Sequence, residues 1–214
     1  MHGEPGAWIY VWDPFVRVFH WALVAGFAVA YLTGDEVLGI HVWTGYAIGV
    51  LIVTRLIWGF IGPRHARFAD FVSGPATTFR YLRDLLFFRA KRHIGHSPAG
   101  GVMIILLFLT LSATVGSGLI VYAAEEDAGP LAGMFVTPAA TQSVGRGDVE
   151  DEKEGLERNG FAESDIGEPA KEVHEFFANL TLLLVILHVG AVVFMSFAHR
   201  ENLVRAMVTG FKRR

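Results

Sequence analysis

Two histidines stand in EVHEFFANLTLLLVILHVGAVVFMSFAH, residues 172–199: His174 near its start and His188 in its middle. An imidazole can bind a metal, move a proton or hydrogen-bond a neighbour, and in so apolar a run it needs a partner, because polar groups at bilayer depth are costly. Fourteen residues at about 100° each fall about 40° short of four turns, so both rings leave one helix face, roughly 21 Å apart along the axis. One face thus offers two separate ligand positions. Zinc wants three or four ligands within a few ångströms, and rings this far apart do not share such a site.

The elements that must position these rings are membrane spans. The 214 residues are 52% hydrophobic, with a mean hydropathy of +0.42, oilier than a typical soluble domain. Four apolar runs are long enough to cross a bilayer: FVRVFHWALVAGFAVAYLT (15–33), IHVWTGYAIGVLIVTRLIWGFIG (40–62), GGVMIILLFLTLSATVGSGLIVYAA (100–124) and residues 173–197. The expected fold is all-α, a four-helix transmembrane bundle that takes residues 1–214 as one membrane-embedded domain. MHGEPGAWIYVWDP lacks the basic start and apolar core of a cleavable signal, so the first span is expected to be retained. Cysteine is absent, which excludes disulfides, thiolate metal centres and thioether-attached haem. No nucleic-acid partner is expected.

Charge is segregated along the chain. Segment 63–98 holds Arg64, Arg67, Arg80, Arg83, Arg89, Lys91 and Arg92 against Asp70 and Asp84, and the tail adds Arg200, Arg205, Lys212, Arg213 and Arg214. The first connection carries Asp35 and Glu36, while 123–172 holds thirteen acids against Arg146, Lys153, Arg158 and Lys171. The excess of Lys and Arg in cytoplasmic segments places both termini and 63–98 inside, and the long acidic loop between the third and fourth spans in the periplasm.

Depth then sorts the nine histidines. His2, His65, His93, His96 and His199 fall in tails, loops or span ends. His20 and His188 lie inside the first and fourth spans toward the inner face, and His41 and His174 stand at outer ends. Two pairs at two depths, His20 with His188 and His41 with His174, are what two stacked b haems need, because each iron takes two axial imidazoles from facing helices. Taken singly, each histidine could equally be an interhelical hydrogen-bonding group.

Arg17 precedes His20 by one turn on the same face, and Arg55 follows His41 by fourteen residues, which brings it near the inner pair. Both are candidates to meet haem propionates, against the alternative of snorkelling to inner headgroups. Gly45 and Gly49 follow His41 at one and two turns and keep its face small enough for a flat macrocycle or a close helix. The segment FADFVSGPATTFRYLRDLLFFRAKRH mixes aromatics with arginines, as does an amphipathic stretch on the inner membrane surface, although a quinone-side pocket has the same composition. His96, beside Pro98, could contact a propionate or quinone, or simply open the third span.

The chain resembles the prokaryotic cytochrome b561 family, which includes the cytochrome b subunits of nickel–iron hydrogenases. RVFHW, GIHVWTGY, RLIWGFIGPRHARF, GHSPAGGVM, EVHEFFANLTLLLVILHVG and HRENLVRAMVTG carry the likeness across essentially the whole chain. It implies a four-helix bundle with two b haems, one ligand each from the first and second helices and two from the fourth, roles that carry over to His20, His41, His174 and His188. The ending HRENLVRAMVTGFKRR looks like members encoded beside small di-haem c-type cytochromes. The resemblance further implies electron transfer, in the bacterial inner membrane, between the quinone pool and a periplasmic redox partner such as a c-type cytochrome.

The acidic loop suits a partner with a basic docking face, since complementary fields raise encounter rates; its other reading is a solvated insertion. Two alternatives remain: a superoxide:quinone oxidoreductase of the same fold, disfavoured by a loop that repels anions, and a non-redox membrane anchor whose histidines only join helices.

Overall fold

The computed structural model describes residues 8–34, 36–87, 89–134 and 166–213. Helix α1 runs Pro14–Thr33, α2 Leu38–Ile61, α3 Phe68–Phe71, α4 Pro75–Leu86, α5 Pro98–Glu126, α6 Gly167–Ala198 and α7 Leu203–Thr209, with a 3-10 turn at Arg64–Ala66. Strands β1 (Trp8–Tyr10) and β2 (Phe211–Arg213) complete the chain. Helices α1, α2, α5 and α6 are long and apolar enough to cross a membrane. They carry large apolar side chains that face outward, among them Phe197 at 82% exposure, Leu32 at 77% and Trp43 at 74%, a surface suited to lipid rather than water.

Three helices match the expected spans to within about two residues at each end, an ordinary uncertainty of helix boundaries. The fourth begins at Gly167 rather than near 173. Its first turn holds Glu168, which favours the positive helix start, and Pro169, whose missing N–H costs nothing there. Hydropathy does not see this polar turn.

The chain divides into two compact units, residues 1–112 with 180–214, and residues 113–179; α5 and α6 each run unbroken through the division. In the first unit, α1 starts at Asp13, whose carboxylate accepts the Val16 N–H at 3.2 Å, with Pro14 at the first helical position. Helices α1 and α2 pair closely, Ile48 lying against the bare Cα of Gly26 and the Phe15 and Trp58 rings meeting at 4.7 Å.

A ribbon joins the ends of the described chain. Strands β1 and β2 pair antiparallel, with Trp8 opposite Arg213, Ile9 opposite Lys212 and Tyr10 opposite Phe211. Val11 and Trp12 pack on Ala206 of α7, and Gly210 closes α7 in the left-handed region (φ 87°) with its N–H on the Ala206 carbonyl. Trp8 lies under the guanidinium groups of Arg205 and Arg213, at 5.1 and 5.8 Å. The first and last described strands therefore lie together.

Between α2 and α4 the chain is held by close packing. The Phe68 ring lies where a Cβ on Gly59 would stand. Gly59→Val is therefore expected to destabilise the protein by about 1–3 kcal/mol, the range for overpacking. A fall in the thermal midpoint of the purified protein, partly restored by Phe68→Ala in the same chain, checks this.

In the second unit, the Asp127 carboxylate accepts the Gly133 N–H at 2.9 Å and closes the turn after α5. Most of the acidic connection, residues 135–165, lies outside the described residues.

Candidate functional site

The four span histidines are on long helices. His20 is on α1, His41 on α2, and His174 and His188 on α6. His20 and His188 face each other, ring centroids 6.4 Å apart and planes at 53°. A metal–imidazole nitrogen bond is about 2 Å and the ring centre lies about 1 Å beyond the nitrogen, so two imidazoles on opposite sides of one ion would be centred about 6 Å apart. The pair fits that arrangement, and the donor chemistry, two neutral imidazoles in an apolar span, suits a b-type haem iron. Trp21 meets the His20 ring edge-on at 5.2 Å. The His20 Nδ1 is buried, with no hydrogen-bond partner among the described residues.

His41 and His174 are each set by a carbonyl. His41 Nδ1 lies 2.8 Å from the Ala30 oxygen, and His174 Nδ1 lies 2.9 Å from the Thr114 oxygen and 3.4 Å from the Ser117 hydroxyl. A carbonyl only accepts, so in each ring Nδ1 is the donor. This orientation of a ligand ring by its other nitrogen is the common device in metal sites. Gly118 makes room for the His174 ring: a Cβ there would stand 2.9 Å from Cε1. On the His41 face, a Cβ on Gly45 would meet nothing within 4 Å.

The arginines are anchored in the protein. Arg55 is 5% exposed, donates from Nη2 to the Ala66 carbonyl at 3.0 Å and lies 5.4 Å from the Phe68 ring centre. Arg17 donates from Nη1 to the Val208 carbonyl at 2.7 Å. Arg55 Nη1 and Arg17 Nε are buried, with no partner among the described residues. A guanidinium has no acceptor atom, so each of these nitrogens calls for an acceptor.

Ser97, next to His96, performs the opening of α5: its hydroxyl accepts the Gly100 N–H at 3.1 Å. The His96 ring sits between Trp12 (4.5 Å) and Phe71 (4.8 Å). Burial, reinforced by the positive charges of Arg55 and Lys212, pushes its pKa down to about 3, so the ring is neutral at physiological pH.

Two residues of interest were missed from the sequence. Trp58, one turn beyond Arg55, also buries an unpartnered donor, its Nε1. Thr181 is fully buried, at 0% exposure, and its hydroxyl has no partner among the described residues. Thr33, Thr54, Ser112 and Ser117 instead return theirs to carbonyls one turn back. Thr181 stands seven residues from His174 and seven from His188. That even spacing was available as a signal. Among the described residues no group of three or more His, Cys, Asp or Glu gathers as a metal cluster.

The family profile described as prokaryotic cytochrome b561 matches residues 11–210. A protein of Rhodobacter capsulatus named as a probable Ni/Fe-hydrogenase B-type cytochrome subunit is 22% identical, over 95% of this chain and 81% of its own length. A protein of the same name from Rhizobium leguminosarum bv. viciae is also 22% identical, over 94% of this chain and 87% of its own. No solved structure matches the chain significantly.

Proposed function

The chain belongs to the prokaryotic cytochrome b561 family, whose members are b-type membrane cytochromes, and from that premise we propose that it links the quinone pool to a redox partner outside the bacterial inner membrane, such as a c-type cytochrome. His20 with His188, and His41 with His174, would each hold one b haem. The bound haems supply reversible one-electron chemistry at two depths of the roughly 30 Å hydrocarbon core.

The observation that carries this reading is the opposed pair His20 and His188 at 6.4 Å. The protein's remaining work is to bind and orient. The Ala30 and Thr114 carbonyls accept from Nδ1 of the His41 and His174 rings and so orient them. Arg17 and Arg55 offer buried donors to the haem carboxylates. The excess of Lys and Arg in 63–98 and the tail supports a cytoplasmic side for the ribbon. The acidic connection then faces the periplasm, where it would steer a partner with a basic face. Such a partner could be a separate c-type cytochrome or a subunit of a complex, as the relatives' names indicate for them.

A pyridine haemochrome count and a reduced-minus-oxidised spectrum of the purified protein test the reading. Two b haems per chain, reducible by a quinol, are expected. A chain that folds, is supplied with haem and shows no Soret band would instead be a membrane anchor.

A further inference from the structure

Helix α4 is amphipathic in an unusual sense: its protein-facing side is partly polar and much of its exposed side is apolar. Thr78 and Tyr81 are buried, at 8% and 7% exposure. Around the axis from Thr78, Leu82 and Phe79 stand at about 40° and 100°, and Arg83 and Arg80 at about 140° and 200°. Phe79 is 74% exposed and Leu82 44%, and Phe87 just past the helix is 67% exposed. A helix with one side on protein and the next side bare and apolar, edged by arginines, is built for a lipid interface rather than for water.

Its place in the fold agrees. Helix α4 follows the end of α2, on the side where α1 begins. The connection after α4 is tied to the C-terminal segment by Arg92, which bonds the Glu201 carboxylate and the Arg213 carbonyl. The helix is therefore on the side of the ribbon. Asp84 is the acid on α4 itself, 3.3 Å from Arg83, against Arg80, Arg83 and, beyond the helix, Arg89 and Lys91. The surplus is positive where the apolar side chains are bare.

We propose that this face of α4 docks on anionic phospholipid of the leaflet on the side of the termini, with Phe79 and Leu82 among the acyl chains and Arg80 and Arg83 on the phosphates. Charge complementarity selects this occupant. An anionic surface attracts each juxtamembrane arginine, so two of them discriminate between charged and zwitterionic lipid. The docking holds the 63–98 connection against the membrane independently of any haem.

The chain has no cysteine, so Phe79→Cys creates a unique position for an environment-sensitive dye. The full-length labelled protein is placed in nanodiscs of phosphatidylcholine alone or with phosphatidylglycerol, and the dye is quenched with doxyl-labelled lipid. Blue-shifted emission is expected, with at least twofold stronger quenching when phosphatidylglycerol is present. Arg80→Gln with Arg83→Gln, both at exposed positions, is expected to abolish that difference while leaving the thermal midpoint in detergent unchanged. A dye that reports water and escapes quenching in both lipids, as it would on a face awaiting a soluble protein, overturns the proposal. So does equal quenching in the two lipids, or a phosphatidylglycerol effect that survives in the double variant.

Discussion

Replacing His188 with alanine is expected to halve the haem content, from two b haems per chain to about one, and His20→Ala is expected to remove the same haem. The two rings oppose each other at 6.4 Å, a separation that would suit one iron. Removing either would leave such an iron with one of its two proposed histidine ligands in an apolar span. The double variant should therefore lose no more than either single one, because residues that act as a unit are not additive. The count comes from pyridine haemochrome, and the spectral component that disappears must be identical in all three proteins. Loss of both haems in the double variant, with one lost in each single, would mean that the two histidines serve different haems.

The second large effect is expected where no ligand is touched. Gly118→Val should remove the other haem, the one assigned to His41 and His174, and leave the His20/His188 haem in place. A Cβ at position 118 would stand 2.9 Å from His174 Cε1 and 3.1 Å from Nδ1, inside van der Waals contact, so the imidazole must leave its position. It then loses its hydrogen bond to the Thr114 carbonyl, and with it the orientation that presents Nε2. Gly116→Val is the control on the same helix, since a Cβ there meets nothing within 4 Å. Haem content and thermal midpoint measured together separate the cases. A Gly118→Val protein that keeps both haems would sink the role given to His174.

What could be read from the residues and what could not divide along the range of the forces involved. Span existence follows from apolar length alone, because the hydrocarbon core demands about 20 such residues whatever the neighbours are. The shared face of His174 and His188 is likewise a local matter of helical period. The start of α6 was misplaced because Glu168 and Pro169 act on the backbone of the first turn, to which hydropathy is blind. Arg55 had two destinations, headgroup or interior. Its burial beneath the Phe68 ring, with Nη2 on the Ala66 carbonyl, depends on a connection that folds back after α2.

By itself, the sequence determined that this is a multi-pass helical membrane protein of the cytochrome b561 type, without cysteine chemistry and with histidines at two depths. These are consequences of composition, period and span length, each decided within one segment. Only the tertiary structure decided that Ala30 and Thr114 accept from Nδ1 of His41 and His174, and that Phe68 and His174 use the space left by Gly59 and Gly118. It also paired Trp8 with Arg213 across nearly the whole chain. Each of these joins residues on different elements of the fold. Contacts of that kind are set by how helices and strands pack against one another, and local residue pattern carries no record of which partner a side chain will meet.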